Sequence, residues 1–98
     1  MVLDCYIDSC VSHNTFTSKT GRTLVVKEYL VRYMDGREYS LLFRVTSYQD
    51  DNPARYEGFD SLVGKWGRVN YTLSSRVWQG KYFTECMAWR VEPLDQTK

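Results

Sequence analysis

A chain of 98 residues with 43% hydrophobic and 15% aromatic content sets the expectation at one domain with a modest core, and excludes disorder. A net charge of +1 argues against a strongly basic nucleic-acid binder, although residues 63–98 carry six basic side chains against three acidic ones. No apolar run approaches the roughly 20 residues of a membrane helix, and the acidic start "MVLDCYIDSC" does not read as a signal peptide, so a cytoplasmic protein is expected.

"VLDCYIDSCV" alternates well enough for a first strand. Odd spacing on a regular strand puts Cys5 and Cys10 on opposite faces, and three cysteines without a CxxC do not make a disulfide framework. Cys10 and His13 lack a second close pair of ligands, so neither zinc nor another cofactor is expected. "SHNTFTSKTG", Ser12 to Gly21, is rich in Ser, Thr, Asn and Gly and reads as a long loop. "RTLVVKEYLVRY" is the second strand. Asp35-Gly36 then gives the strongest hairpin signal, for a type I′ turn with positive φ at both central residues. On the third strand Tyr39, Leu41, Phe43 and Val45 share one face, and Ser40, Leu42, Arg44 and Thr46 the other.

The pattern then turns helical. Tyr56, Phe59, Leu62 and Val63 follow Pro53 at near-helical spacing, which predicts a short helix with Asn52 as N-cap, Pro53 at its first position and Gly64 as its stop. Period two resumes with Val69, Tyr71 and Leu73 on one face and Arg68, Asn70 and Thr72 on the other. Gln79-Gly80 makes the second hairpin, "KYFTECMAWRV" is the last strand, and Pro93 stops it before a polar tail, 93–98. The fold predicted is therefore all-β: a five-stranded OB-fold Greek-key barrel over residues 1–92, with one short helix between strands three and four. An SH3-like barrel is the competitor, and it normally has no helix there.

"TSKTG…KEYLVRY…LLFRV" resembles the bacterial single-stranded DNA-binding protein family. The sequence is similar, more closely still, to a group of small bacterial OB-fold proteins related to that family. In that group a segment reads "VGDxVxVxFxxxSREWNGRWYTDxxAWxV", and its counterpart here is "LVGKWGRVNYTLSSRVWQGKYFTECMAWRV". The matches are Val63, Gly64, Val69, Ser75, Arg76, Trp78, Gly80, Thr84, Ala88, Trp89 and Val91, while Lys65 and Gln79 depart from the pattern. The resemblance implies an OB-fold and binding of single-stranded DNA.

Single strands are held by stacking bases on aromatic rings while cations follow the backbone. OB-folds use the outer face of strands two and three, framed by the first-to-second and fourth-to-fifth strand connections. The suppliers predicted here are Lys19 and Arg22 in the first connection, Arg32 and Arg44 on the strands, and Arg76, Trp78, Lys81 and Tyr82 in the last hairpin. Trp78 leads, near a turn tip. Its alternatives are packing on its own hairpin or against a second subunit. Arg32 and Arg44 could equally pair with Glu28 or Glu38 across the sheet. Tyr48 and Tyr56 could be helix packing or platform. Trp89 is expected in the core, Trp66 as a barrel plug, and Phe83 inside because it shares parity with Trp89 and Val91, which leaves Tyr82 outside.

With one His, no nucleophile elbow and no phosphate-binding loop, the chain does not read as an enzyme. Two functions stay open: single-stranded DNA binding with little sequence preference (RNA being a variant of it) by a homo-oligomer, or an OB-fold used as a protein-interaction and assembly module.

Overall fold

The computed structural model describes residues 1–94, so the predicted tail falls outside the described residues from position 95 on. Its elements are β1 (Val2–Thr17), β2 (Thr23–Met34), β3 (Glu38–Tyr48), α1 (Arg55–Ser61), β4 (Lys65–Trp78) and β5 (Lys81–Pro93). The strands close into a barrel in the order β1-β2-β3-β5-β4. All neighbours are antiparallel except β3 and β5, which run parallel and meet only at Phe43↔Cys86 and Arg44↔Met87. This is the five-stranded OB-fold with its helix between β3 and β4.

Alternation along the strands builds the interior. Cys5 and Ile7 of β1, Tyr29 and Val31 of β2, Phe43 and Val45 of β3, Val69 of β4 and Ala88 of β5 are buried in one cluster. Phe59 of α1 and Leu62 at its C-cap join that cluster and plug the barrel. Phe59 stacks on Tyr29 with ring centroids 5.3 Å apart. Trp66 is therefore not the plug. It shares the outer face with Tyr6, its cross-strand partner, against which it packs edge-on at 5.8 Å, because Gly67 and Val69 take the inward parity of β4.

The helix starts later than the sequence predicts. Ala54, not Asn52, is the N-cap, and Pro53 precedes the helix behind a cis peptide bond. The capping oxygen comes from another element: Ser47 Oγ of β3 accepts the Arg55 N–H at 3.1 Å, and Asp51 in turn accepts from Ser47 at 3.0 Å. Glu57 accepts the Ala54 N–H at 3.3 Å. At the other end Gly64, with φ +85°, donates its N–H to the Ile7 carbonyl at 2.7 Å and turns the chain into β4. Tyr29 Oη donates to Asp60 at 2.6 Å, and Lys27 pairs with the other Asp60 oxygen at 2.8 Å, so one carboxylate docks the helix on β2. Tyr56 lies beneath the Lys27 ammonium and belongs to this helix packing.

Three local expectations are corrected. β1 does not stop near Ser12 but pairs with β2 as far as Thr17↔Thr23, leaving only Ser18–Arg22 as the turn. From His13 to Thr17 its polar side chains are exposed, so pairing buries none of them. A register shift between Ile7 and Ser9 cancels the odd spacing of the cysteines: Cys10 pairs opposite Tyr29, an inward position, although Cys10 itself is exposed. The Asp35-Gly36 hairpin closes on Met34↔Glu38, a three-residue connection in which Gly36 alone has positive φ. The turn with two positive φ values is Gln79-Gly80, at +50° and +75°, closed by Trp78↔Lys81.

A candidate nucleic-acid interface on the β4–β5 arm

Past the β3–β5 seam, β4 and β5 pair only with each other and leave the barrel as a two-stranded arm. Every residue from Thr72 to Thr84 is exposed. The arm has two faces, set by cross-strand pairing. One carries Arg76↔Phe83 and Trp78↔Lys81, and the other Leu73↔Cys86, Ser75↔Thr84 and Val77↔Tyr82. Arg76, Trp78 and Phe83 line an open groove of about 390 Å³ together with Val77. Trp78 is 62% exposed, Phe83 43% and Tyr82 78%.

The expectation that Phe83 lies inside is thus overturned, and so is the core position of Trp89, which is 47% exposed. One irregularity explains both. The ladder pairs Asn70 with Arg90 and Tyr71 with Ala88, so Trp89 is an extra residue in a bulge. Inward parity passes from Val91 to Ala88, and Phe83 shares parity with Trp89 but not with Ala88. Tyr82 then continues the inward side, beyond the point where the barrel has an interior. Of the four residues predicted in this hairpin, Trp78, Arg76 and Lys81 share a face, whereas Tyr82 lies on the opposite one with Val77.

The remaining predicted cations are spread over the outer surface. Arg32 and Arg22 stand at opposite ends of β2, about 30 Å apart at the usual strand rise. Arg32 is paired with Asp8 and, at 3.8 Å, with Glu38, and the Asp8 contact holds its guanidinium firmly charged. Arg22 lies 3.7 Å above the Tyr48 ring and 3.2 Å from Asp50. Tyr48 is therefore an exposed surface ring rather than helix packing. Arg44 donates to Glu85 at 2.6 Å and lies 3.4 Å from Glu28, the cross-strand pairing that the sequence offered as the alternative to phosphate contact. Arg76 Nε forms an ion pair with the second oxygen of Glu85 at 2.8 Å. Lys19 and Lys81 have no carboxylate within ion-pair distance among the described residues.

Sequence reasoning missed Phe83 as a surface aromatic and Glu85 as the carboxylate between two arginines. No alternation pattern announces a bulge, and the spacing of Glu85 to Arg44 exists only once β3 meets β5. Burial pushes the Cys5 thiol up to about 12 and also raises Cys86, so neither is poised as a thiolate nucleophile. Among the described residues no cluster of three or more His, Cys, Asp or Glu could hold a metal ion, and no helix is long and apolar enough to cross a membrane. No protein-family model and no curated protein sequence matches the chain.

Proposed function

We propose that this protein binds single-stranded DNA with little sequence preference, stacking bases on the Trp78–Phe83 face of the arm. The observation that carries the reading is that arm: a paired aromatic and basic surface, exposed on both sides, projecting from an OB barrel. Lys81 and Arg76 share the face and supply cations for the backbone. RNA single strands offer the same stacking surface and form the comparison ligand. Self-association would set several short arms along one strand and raise avidity. A cytoplasmic location fits this ligand.

Titration with oligo-dT, followed by tryptophan fluorescence at several salt concentrations, tests the proposal. Each phosphate contacted contributes a slope of about −0.7 in log K against log salt. Loss of one stacked base costs about 1–3 kcal/mol, so Trp78→Ala weakens binding about 5- to 150-fold. Phe83→Ala acts in the same direction, and Tyr82→Ala, on the other face, less. Absence of quenching at low salt, or affinity indifferent to Trp78→Ala, refutes the reading.

The second reading, an OB-fold interaction or assembly module, is favoured by a specific observation. Arg22, Arg32, Arg44 and Arg76 all already face carboxylates, and the net charge is +1. It predicts a stable oligomer or protein complex and no salt-sensitive nucleic-acid affinity.

A further inference from the structure

Glu85 stands at the junction of arm and barrel. Its two carboxylate oxygens each receive a guanidinium, Oε1 from Arg44 Nη1 at 2.6 Å and Oε2 from Arg76 Nε at 2.8 Å. Arg44 belongs to the barrel face and Arg76 to the arm, so one anion ties the two surfaces together. Beside it runs an open groove of about 300 Å³ between β3 and β5, lined by Arg44, Glu85, Ser40, Leu42, Thr84 and Glu28, the last 3.4 Å from Arg44. Among the described residues Arg44 Nε is buried without an acceptor, so the guanidinium is not fully satisfied by its carboxylates.

An anion bridging two arginines from separate elements is what a phosphodiester does, since its two non-bridging oxygens match guanidinium donors as a carboxylate does. We propose that the Arg44–Arg76 junction is a backbone-phosphate subsite and that Glu85 is its internal occupant, displaced when a strand passes from the barrel face onto the arm. The proposal rests on the single-strand reading above and adds the path of the strand: across the β3–β5 groove, then along the Trp78–Phe83 face. Glu85 keeps the two arginines apart and aligned in the free protein, where they would otherwise repel. The same carboxylate sets a threshold that isolated small anions do not cross but a strand already stacked on the arm does.

The test is a salt-dependent titration of wild type, Glu85→Gln, Glu85→Gln/Arg76→Gln and Glu92→Gln with a dT oligonucleotide. Glu92 pairs with Arg90 outside the junction and controls for the loss of one negative charge. Glu85→Gln is expected to bind about two- to fivefold tighter than wild type at low salt, the size of effect that removal of a competing ion pair gives. The gain exceeds that of Glu92→Gln and disappears when Arg76→Gln is added. Its salt slope becomes steeper by less than one phosphate equivalent, because the wild type must also open the junction. Urea midpoints confirm that each variant is folded. If the wild type binds and Glu85→Gln is no tighter than Glu92→Gln, the subsite is refuted while the single-strand reading stands. If no variant binds at any salt concentration, both are refuted.

Discussion

Two glycines press on the same side chain, and replacing each by alanine should give opposite results. A Cβ at Gly67 would lie 3.1 Å from Val91 Cγ2, 3.3 Å from Ile7 Cδ1 and 3.3 Å from the Glu92 carbonyl oxygen. The first two are side-chain methyls, of which Ile7 is fully buried, but the carbonyl belongs to the β4–β5 ladder and cannot withdraw without breaking it. Gly67→Ala gains about 0.4–1 kcal/mol from a stiffer unfolded chain. It loses about 1–3 kcal/mol to overpacking. Overpacking wins, and the midpoint of urea unfolding falls. At Gly58 the only contact within 4 Å among the described residues is Val91 Cγ1, at 3.3 Å, on a half-buried residue that can shift. Helix propensity favours alanine over glycine by about 1 kcal/mol, so Gly58→Ala should be neutral to stabilising. Equilibrium urea unfolding by circular dichroism measures both. Val91→Ala in the Gly67→Ala background should cost less than Val91→Ala alone, since it relieves the shortest contact. A Gly67→Ala protein as stable as wild type would refute the argument that the barrel wall is closed against that position.

Tyr29→Phe removes the hydroxyl that docks α1 on Asp60 at 2.6 Å. A hydrogen bond to a charged group gives about 1.5–3 kcal/mol, and urea unfolding should show a loss of that size, with a change below about 0.5 kcal/mol refuting the docking role. Alkaline pH should destabilise the fold. Burial raises Cys5 from 9.0 to about 12, so its stabilising contribution is complete below pH 9 and is lost as pH rises from 9 towards 12. The slope in that window reaches at most about 1.4 kcal/mol per pH unit, and Cys5→Ala should flatten it. Tyr29, also raised by burial and by Asp60, acts in the same direction above its ordinary value of 10.0, so comparing Cys5→Ala, Tyr29→Phe and the double variant separates the two.

Strand and hairpin positions were legible because alternation and turn chemistry are local. Phe43 and Val45 face inward as their spacing predicts, and Gln79-Gly80 turns where expected. The cross-strand pairing of Arg44 with Glu28 and of Arg32 with Glu38 could also be read in advance, since it follows from β2–β3 register. What failed was whatever one residue of slippage reverses. The Trp89 bulge moves a tryptophan out of the core and carries Phe83 with it. The helix cap was invisible for another reason: Ser47 is eight residues from Arg55 in sequence and reaches it only through the fold. Polar composition misled at Asn14–Thr17, where threonines form a strand whose side chains stay in water. In the site, the grouping of Arg76, Trp78 and Lys81 in one exposed hairpin was readable, and the contacts of Glu85 with two arginines were not.

The closure of the barrel also bears on how the chain reaches its fold. Three of its ladders, β1–β2, β2–β3 and β4–β5, join neighbours in sequence across short turns and can form as local hairpins. The β1–β4 ladder, from Val2↔Asn70 to Ile7↔Lys65, joins the start of the chain to its last third. Loop-closure entropy therefore falls mainly on that one meeting, and the parallel seam of two residue pairs does little to offset it. The arm needs no such meeting. It belongs to a hairpin that can assemble early and project the same side chains before the ring behind it has closed.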